Sequence, residues 1–418
     1  MKEVFAEVIT IGDEILYGQI LDTNSQWISQ RLDEMGIKVR RKFSISDQSE
    51  IIQDAIDESL QRSDIVLITG GLGPTKDDLT KKALSEYFEM PLVLHDSALE
   101  DIEAIFKKFG KEVNDLNRQQ AYLPEGCQKI TNERGTAPGM WFQRDRKVIV
   151  SMPGVPMEMK AMMSKSVLPK MKKNFRLPVI VHKVIRTIGL GESWLSEIIA
   201  DWEDQLPDHL ALAYLPGKAQ VRLRLTGVGK DAQTLESEME QQIVEVMPLI
   251  DQYVFGFGDI EIEDAVGELL KSQSLSVATC ESCTGGYLAH RLTSVAGSSE
   301  YYHGSTVAYH NDVKRMSVGV RERTLEQCGA VSEETAIEMA VGIRKKYKTD
   351  IGVSTTGIAG PDGGTEEKPV GTVWLAISFG RETHTRKLQL PGDRIYNIEL
   401  TAIHALNFLR QTLKDAEN

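Results

Sequence analysis

The chain has 418 residues, of which 41% are hydrophobic and 26% charged, with 34 glycines and 14 prolines. At about 150 residues per domain this length predicts roughly three domains, and the composition excludes disordered, collagen-like and low-complexity chains. The 48 Lys and Arg residues against 61 Asp and Glu residues give a net charge of −13, which disfavours broad nucleic-acid binding but permits a local basic patch.

Cysteine usage and hydropathy predict a soluble protein of a reducing compartment. The 4 cysteines do not make the framework of a disulfide-stabilised fold. No apolar run approaches the ~18 residues that span a bilayer, and the first residues lack the apolar core and cleavage site of a signal peptide. A cytoplasmic protein without a membrane partner is therefore expected.

The N-terminal third alternates strand and helix patterns. Strands are predicted over 3–11, 37–44 and 64–69, and helices after Thr23 and after Asp47. The apolar run in 64–69 is continuous, which is typical of a strand buried in a parallel sheet. Asp47 and Glu50 have the spacing of a capping box. The alternation predicts an α/β domain over 1–169.

A small α+β connector is predicted over 170–252. It begins with lysines and two prolines between 169 and 178, a composition that predicts a linker. A strand, a helix, two strands and a second helix follow. The strand 220–226 alternates apolar residues with Arg222 and Arg224, which could contact nucleic acid or an acidic partner domain. The alternation favours a third interpretation, a solvated strand face.

The remainder, 253–418, again alternates strands and helices. Strands are predicted over 275–279, 350–356, 370–379 and 384–390, and helices over 262–270, from Tyr287 and over 394–409. We therefore predict an α/β protein with three domains, the last an α/β/α domain.

Ser282 is the first candidate catalytic residue, because it follows strand 275–279 at a strand-to-helix turn. Open α/β sheets build their sites at such carboxyl ends of strands. The backbone N–H groups of Thr284, Gly285 and Gly286 could bind a phosphate or an oxyanion there. The alternative, that Ser282 or Thr284 only caps the helix, stays open.

Cys280 and Cys283 flank this serine with two residues between them. A zinc site needs a second ligand pair, and none is suitably spaced. A redox pair would suit such a turn, but the sequence pattern that surrounds redox pairs is missing. Small, partly buried cysteines are the preferred interpretation.

A serine nucleophile needs a base, and two kinds of residue compete for that role. His290, His303 and His310 lie nearby in sequence, but no acid is obviously spaced to orient them. Lys314 could serve if burial lowered its pKa, although the residues alone favour an exposed lysine. Its five-residue separation from Tyr309 predicts a chain turn between the two residues.

A Gly-rich run, 356–364, follows strand 350–356. So many glycines let the backbone approach a ligand closely. The run matches neither a dinucleotide-binding fingerprint nor a P-loop. The alternative is a surface loop, which the position after a buried strand disfavours.

These C-terminal motifs together resemble the nicotinamide mononucleotide (NMN) amidohydrolase domain of the CinA family. The resemblance rests on 281–286, Tyr309 with Lys314, 329–332, 357–364 and 368–374, in this order along 262–409. It implies a metal-independent serine amidase of pyridine-nucleotide salvage. That enzyme hydrolyses the carboxamide of NMN to nicotinate mononucleotide and ammonia, without a cofactor.

The resemblance also implies roles for individual residues. Ser282 would be the nucleophile, Lys314 the general base and Tyr309 its partner in proton transfer. Backbone amides of the turn would form the oxyanion hole. The residues that would bind the substrate are Thr284, Gly285, Gly286, Thr356, Gly357, Ala359, Gly360, Gly363, Gly364 and Arg394.

In the N-terminal third, the Gly-rich loop 70–74 leads into a helix that Asp77 or Asp78 could begin. Such a loop suits phosphate on its amides and a metal on its carboxylates. Two further runs, 12–14 with Asn24 and 151–156 with Glu158, could join it at the same end of the sheet. Alternatively, the aspartates only favour a helix N-terminus.

Residues 1–168 resemble the molybdopterin-binding fold. Leu72 and Asp77 stand where molybdopterin binders usually carry Thr and Arg, whereas Asp78 is retained, and this pattern is similar to the N-terminal domain of the CinA family. The resemblance implies an ADP-ribose pyrophosphatase that uses a divalent metal of the Mg, Mn or Co type, with K⁺ as a further ion. Its nucleotide site would comprise Gly12, Asp13, Asn24, Gly70, Gly71, Gly73, Pro74, Thr75, Asp78, Pro153 and Gly154. The metal ligands would be Asp78 first, then Asp47 and Asp13.

The resemblance implies small-molecule partners, NMN and ADP-ribose, and a homodimer in which the connector takes part. Two rival functions remain: a molybdopterin-binding enzyme, and a non-catalytic interaction protein acting in competence or DNA damage. Tight molybdopterin binding at loop 70–74 is expected of the first. A biological role unchanged by Ser282→Ala is expected of the second.

Overall fold

The computed structural model describes residues 3–75 and 78–417. The chain divides into two compact units: one runs up to His182 and includes 227–238, and the other comprises 183–226 and the chain from Met239 onward. Among the described residues, no helix is long and apolar enough to cross a membrane.

Strands and helices alternate up to residue 174. The strands are β1 (Val4–Ile11), β2 (Ile37–Ile45), β3 (Ile65–Thr69), β4 (Leu92–Leu94), β5 (Tyr122–Pro124), β6 (Gln128–Ile130), β7 (Gly139–Arg144) and β8 (Lys147–Met152). The helices are α1 (Asp13–Leu16), α2 (Thr23–Glu34), α3 (Ser49–Arg62), α4 (Thr80–Tyr87), α5 (Asp96–Lys108), α6 (Asp115–Gln119), α7 (Pro156–Met162) and α8 (Leu168–Asn174), with a π-helical turn over Met163–Val167.

A six-stranded sheet runs in the order β2-β1-β3-β8-β7-β6, and β4 pairs with β5 separately. β1 is parallel to β2 and β3, and β3 is parallel to β8, so the carboxyl ends of these four strands meet at one edge. β3 is buried along its whole length. Leu67 shares a core with Ile28 of α2, and Ile68 shares another with Ile52 of α3. The sheet is therefore covered on both faces, and the predicted α/β fold class is confirmed.

The composition of 169–178 predicts a linker, but only part of this segment is one. Its first half is helical, because α8 extends to Asn174. Pro169 has no N–H to donate to a carbonyl oxygen one turn earlier, and the π-helical turn over Met163–Val167 directly precedes α8. The lysines therefore lie on a helix, and only the residues after Asn174 connect it to the next strand.

The capping box predicted at Asp47 and Glu50 is also wrong. Helix α3 begins at Ser49, its N-cap is Gln48, and no side chain caps it. Asp47 consequently stays outside the helix, which leaves its carboxylate available for other contacts.

The strands from residue 179 onward are β9 (Val179–Ile188), β10 (Leu210–Gly217), β11 (Gln220–Gly229), β12 (Val254–Phe257), β13 (Val277–Glu281), β14 (Tyr302–Val307), β15 (Ile351–Gly357), β16 (Thr372–Phe379) and β17 (Glu382–Gln389). The helices are α9 (Glu192–Glu203), α10 (Ala232–Ile250), α11 (Ile262–Ser272), α12 (Tyr287–Ser294), α13 (Asn311–Val318), α14 (Glu322–Gln327), α15 (Glu333–Tyr347) and α16 (Arg394–Glu417), with 3-10 turns over Asp251–Tyr253 and Ser298–Glu300.

These strands form two sheets, β10-β11-β9-β12 and β14-β13-β15-β16-β17. In the second sheet β13 is parallel to β14 and β15, whereas β16 and β17 are antiparallel additions. Val277 of β13 shares a core with Leu406 of α16, and the next residue, Ala278, shares another with Met339 of α15. Helices therefore cover both faces, and the predicted α/β/α arrangement is confirmed.

Strand β13 ends two residues later than predicted. It pairs with β14 and β15 as far as Glu281, which lies opposite Val307 and Thr355. Glu281 is therefore a strand residue, and Ser282 is the first residue beyond the sheet.

Candidate functional site

Ser282 lies between β13 and α12, at the carboxyl edge of the five-stranded sheet. Its backbone N–H donates to the Thr355 carbonyl oxygen of β15 at 2.9 Å. The chain then turns through Gly285 and Gly286, whose φ angles of 61° and 102° favour glycine. Ser282 is 8% exposed, so the fold encloses most of the residue. The predicted strand-to-helix turn is present.

Lys314 lies on α13, and His310 is the N-cap residue of this helix. Lys314 is 1% exposed, and its Nζ donates to Ser282 Oγ at 3.1 Å and to the Ala308 carbonyl oxygen at 2.8 Å. Burial lowers the pKa of Lys314, because the charged amine loses hydration. The prediction from residue type alone, that Lys314 is exposed, is wrong. The geometry suits the base that the family resemblance implies.

Tyr309 is joined to Arg394 rather than to the lysine side chain. Its hydroxyl accepts a hydrogen bond from Arg394 Nη2 at 2.8 Å, and Arg394 Nη1 donates to the Gly360 carbonyl oxygen at 2.8 Å. Tyr309 contacts Lys314 through its backbone carbonyl oxygen, which accepts from Nζ at 3.2 Å. Arg394 thus ties the tyrosine to the Gly-rich loop, and proton transfer by Tyr309 stays a prediction.

The histidines considered as alternative bases lie elsewhere. His310 is exposed, and its Nδ1 accepts from the Asp312 N–H at 3.3 Å. His303 Nδ1 lies 3.5 Å from the Tyr347 carbonyl oxygen. Neither these two nor His290 line the cavity around Ser282.

A cavity of about 270 Å³ opens beside Ser282 and Lys314. The predicted residues that line it are Ser282, Tyr309, Lys314, Thr356, Gly357, Ala359, Gly360, Gly363 and Arg394. The predicted residues outside its lining are Thr284, Gly285, Gly286 and Gly364. The lining residues that sequence reasoning did not select are Cys283, Asn311, Ala330, Val331, Ile358 and Asp362. Ala330 and Val331 belong to the motif 329–332, and Ile358 and Asp362 to the Gly-rich run 356–364, so the sequence carried a signal for these four residues.

Glu281 is a buried residue of the site that sequence reasoning also missed. It is fully buried, and its carboxylate accepts from the N–H groups of Gly286, Leu288 and Ala289 at 3.0, 3.0 and 2.8 Å. The Thr284 hydroxyl donates to it at 2.7 Å. A carboxylate at a helix N-terminus satisfies donors that have no partner within the helix. The Glu281 carboxylate therefore already occupies the N-terminus of α12.

This carboxylate restricts where an external anion could bind. The Gly286 N–H is engaged by Glu281, and the Gly285 N–H donates to the Ser282 carbonyl oxygen at 3.2 Å. Within the described residues, no oxygen atom accepts from the N–H groups of Cys283 and Thr284. Of these two residues Cys283 lines the cavity and Thr284 does not, so the Cys283 amide is the candidate for an oxyanion hole.

Cys280 and Cys283 are free, buried thiols. Burial raises the pKa of each to about 12. Both are therefore protonated at neutral pH, whereas a nucleophile or metal ligand must be a thiolate. Both cysteines are buried, more completely than the partial burial that the preferred interpretation gave them.

A larger cavity, of about 560 Å³, lies at the carboxyl edge of the six-stranded sheet. The predicted residues that line it are Gly12, Asn24, Asp47, Gly70, Gly71, Gly73, Pro74, Asp78, Pro153 and Gly154. Asp13 and Thr75 are not among its lining residues. Glu14 and Glu158, named with the two runs that were expected to join the loop, also line it, and so does Gln120, which the sequence did not indicate. The three runs meet here because they follow the parallel strands β1, β3 and β8.

Close backbone approach explains two glycines of loop 70–74. A Cβ atom on Gly70 would lie 2.1 Å from the Ile11 carbonyl oxygen, and one on Gly71 would lie 2.1 Å from Thr80 Oγ1. Their φ angles, 117° and 63°, also favour glycine. The loop is therefore held directly against the end of β1 and the start of α4.

Asn24 joins two edges of this cavity. It is 8% exposed, and its Nδ2 donates to Thr69 Oγ1 at 3.1 Å and to the Gly154 carbonyl oxygen at 2.7 Å. Its Oδ1 is buried and has no hydrogen-bond partner within the described residues. Buried acceptors normally have a donor, so a bound ligand with a donor group would satisfy this atom.

Asp78, the first predicted metal ligand, is engaged by its own loop. Its carboxylate accepts from the N–H groups of Gly73 and Thr75 at 2.8 and 3.0 Å, and from the Thr75 hydroxyl. These bonds use both carboxylate oxygens, so Asp78 holds the loop. Asp77, named beside it in the sequence analysis, lies outside the described residues.

Asp47 lies at the cavity among other acids. Burial raises the pKa of Asp47, and the carboxylates of Asp13, Glu14 and Asp78 raise it further. Within 3–75 and 78–417, no three His, Cys, Asp or Glu residues form a metal-binding group. A cation would therefore need water or a phosphate of the substrate to complete its shell, which is how Mg²⁺ is commonly bound.

Comparison with known families divides the chain into three matched regions. Residues 7–173 match a probable molybdopterin binding domain, 182–256 the damage-inducible protein CinA KH domain, and 259–413 the CinA C-terminal domain. A CinA-like protein of Cytophaga hutchinsonii is 53% identical over 414 residues and covers 99% of both chains. A CinA-like protein of Amoebophilus asiaticus is 43% identical over 98% of this chain and 99% of its own.

A crystal structure is also similar to part of the chain. It is that of the protein CinA, described as of unknown function, from Thermoplasma acidophilum. It is 34% identical, covers 41% of this chain and 99% of its own, and has a TM-score of 0.38.

Proposed function

The chain belongs to the CinA family, and we propose that its C-terminal domain is an amidohydrolase that converts NMN and water into nicotinate mononucleotide and ammonia. One observation carries this proposal: Lys314 Nζ is buried and lies 3.1 Å from Ser282 Oγ. A serine hydroxyl becomes a nucleophile when an adjacent base takes its proton. The cavity beside the pair provides the place for a substrate.

In the proposed mechanism, neutral Lys314 accepts the Ser282 proton while Oγ attacks the carboxamide carbon. The N–H group of Cys283, which lines the cavity, stabilises the negative charge that develops on the carboxamide oxygen. Lys314 then gives the proton to the nitrogen, and ammonia leaves behind an ester on Ser282. Water, deprotonated by the same amine, cleaves the ester and restores the serine hydroxyl.

The backbone around Lys314 supports both protonation states of the amine. The carbonyl oxygens of Ala308 and Tyr309 accept from Nζ and hold it in place. They also stabilise the ammonium group that forms during the attack. Burial opposes that charge, so the amine returns its proton readily to the leaving nitrogen.

Arg394 and the loop 356–364 are proposed to hold the nucleotide. The bonds from Arg394 to Gly360 and Tyr309 fix its guanidinium at the cavity wall. A fixed guanidinium binds phosphate through charge-assisted hydrogen bonds. The substrate phosphate would therefore be recognised away from the carboxamide that reacts.

For the N-terminal cavity we propose a second activity, the hydrolysis of ADP-ribose to AMP and ribose 5-phosphate. It is supported by the cavity of about 560 Å³, the close backbone approach of loop 70–74 and the unpaired Asn24 Oδ1. Asp47, with Glu14, would hold a divalent cation together with the pyrophosphate. When bound, such a cation neutralises phosphate charge and lowers the pKa of water.

Incubation of the purified chain with NMN tests the first activity. We expect ammonia and nicotinate mononucleotide in equal amounts, detected by an ammonia assay and mass spectrometry. Arg394→Ala should raise KM for NMN, whereas Arg381→Ala, at an exposed arginine outside the cavity, should not. Absence of both products from the wild type would overturn the proposal.

Incubation with ADP-ribose and Mg²⁺ tests the second activity. We expect AMP and ribose 5-phosphate, and loss of both when EDTA is added. Tight binding of molybdopterin without hydrolysis of ADP-ribose would instead favour the molybdopterin-binding rival.

A further inference from the structure

A pocket of about 310 Å³ lies in the unit formed by 183–226 and the chain from Met239 onward. The ionisable side chains that line it are Arg186, Lys218, Arg222, Arg291 and Glu261. They comprise four cations and one carboxylate, in a chain whose net charge is −13. None of them lines the cavity around Ser282.

The cations differ in how far neighbouring acids neutralise them. Three have carboxylate partners: Arg186 pairs with Glu261, Lys218 with Glu399 and Arg291 with Glu263. Arg222 is exposed on β11 and, in the described part of the chain, has no side-chain hydrogen bond or ion pair. Its guanidinium is therefore available to a ligand.

Arg186 forms a buried wall of this pocket. It is 4% exposed, and its guanidinium lies 5.6 Å from the centre of the Phe255 ring. Its Nη2 lies 2.5 Å from Glu261 Oε1, whereas its Nε is buried without a partner in the described residues. A buried guanidinium is normally fully paired. Glu261 neutralises the charge of Arg186, so an anion oxygen in the pocket would supply the acceptor that its Nε–H lacks.

We propose that this pocket binds a small molecule through its phosphate group. Guanidinium groups offer planar pairs of N–H donors that match phosphate oxygens, and Lys218 adds a compact positive charge. A concave volume of about 310 Å³ is that of a small-molecule site. Arg222 thus has a ligand-binding role instead of lying on a merely solvated strand face. The proposal is independent of both hydrolytic activities.

Calorimetric titration of the full-length chain with inorganic tripolyphosphate, in EDTA, tests the proposal. Arg222→Ala should weaken binding about tenfold or more, because it removes charge-assisted hydrogen bonds. Arg222→Lys should retain part of the affinity. Arg381→Ala, which removes an exposed arginine outside the pocket, should bind as the wild type does.

Three results would overturn the proposal. The first is equal affinity of the wild type and Arg222→Ala, since the bound anion would then lie elsewhere, for example in the N-terminal cavity. No binding by either protein would overturn the proposal as well. The third is a single-stranded oligonucleotide that binds more tightly than tripolyphosphate and depends on Arg222, which would assign the pocket to nucleic acid. Hydrogen-exchange measurements should show where the anion binds: if it binds in this pocket, tripolyphosphate should slow amide exchange in β10, β11 and α12.

Discussion

Lys314 Nζ lies 3.1 Å from Ser282 Oγ, and both residues are buried. The other acceptors of Nζ are the carbonyl oxygens of Ala308 and Tyr309, which carry no full charge. No carboxylate in the described chain pairs with the amine, and burial lowers the pKa of Lys314. The amine is therefore suited to take the serine proton.

Replacing Lys314 by arginine should slow the amidase strongly. A guanidinium stays protonated in proteins, so it cannot accept the serine proton. Loss of a general base lowers kcat by about 10²- to 10⁴-fold. Lys345→Arg, at an exposed lysine of α15, is the matched control. Ammonia release at saturating NMN measures the effect, and a folded Lys314→Arg variant with nearly wild-type kcat would remove Lys314 from the mechanism.

The amidase should become faster as pH rises. The reaction uses the neutral amine, so kcat should rise through the lowered pKa of Lys314 and level off below its usual value of 10.5. A pH–rate profile of ammonia release measures this. A profile without such a rise would contradict the role of Lys314 as base.

The same shift makes a prediction for stability. Between the lowered pKa and 10.5, the folded chain binds fewer protons at Lys314 than the unfolded chain does. The free energy of unfolding should therefore rise with pH across this window, because the cost of burying a charge disappears. Urea denaturation should show this rise in the wild type and a flatter one in Lys314→Met. Identical pH slopes for the two would contradict the shift.

Glu281→Ala should destabilise the C-terminal domain and lower kcat/KM for NMN. It leaves the N–H groups of Gly286, Leu288 and Ala289 without their acceptor, and each buried unpaired donor costs about 1–3 kcal/mol. Glu281→Gln keeps one acceptor oxygen and should lose less. Glu268→Ala, at an exposed glutamate of α11, is the control in urea denaturation. Glu281→Ala as stable as this control would refute the capping role.

Gly71→Ala should impair ADP-ribose hydrolysis without affecting NMN hydrolysis. Gly110 has almost the same φ angle, 65° against 63° for Gly71. A Cβ atom on Gly110 meets nothing within 4 Å, whereas one on Gly71 lies 2.1 Å from Thr80 Oγ1. The loss of stability in Gly110→Ala therefore measures the cost of a positive φ angle without a steric clash, about 1–2 kcal/mol. Thermal unfolding and the ADP-ribose assay should show a larger loss for Gly71→Ala than for Gly110→Ala, whereas NMN hydrolysis should stay unchanged. Equal losses in the two variants would contradict the close approach of Gly71 to Thr80.

Asp47→Asn should raise the Mg²⁺ concentration needed for half-maximal ADP-ribose hydrolysis by about tenfold or more, a loss of about 1.4 kcal/mol. Because the pKa of Asp47 is raised, its carboxylate protonates sooner as pH falls. The wild type should therefore need more Mg²⁺ at lower pH, and Asp47→Asn should show a weaker trend, because one titrating ligand is gone. Asp54→Asn, at an exposed residue of α3, is the control. Unchanged Mg²⁺ dependence in Asp47→Asn would exclude Asp47 as a ligand.

Features carried by local sequence could be predicted. The apolar run of β3 indicates a strand buried on both faces, and glycines mark the turn after Ser282 and the loop 70–74. Parallel strands place such loops at one edge of a sheet. The position of both cavities therefore follows from residue patterns.

Features that depend on contacts distant in sequence could not be predicted. Lysine and glutamate are almost never fully buried unless paired, so residue type alone argues against the burial of Lys314 and Glu281. Glu281 is buried because α12 folds back onto the end of β13 and donates its first amides. Asp47 has the spacing of a helix cap, yet α3 begins at Ser49 without a side-chain cap. These three positions were decided by tertiary structure.

The most direct test of the account is ammonia release from NMN by the wild type and by Ser282→Ala, with EDTA present. We predict that the wild type is active and indifferent to EDTA, and that Ser282→Ala falls to background. Ser299→Ala, at an exposed serine, should retain full activity. Ammonia release by a folded Ser282→Ala variant at the wild-type rate would contradict the account.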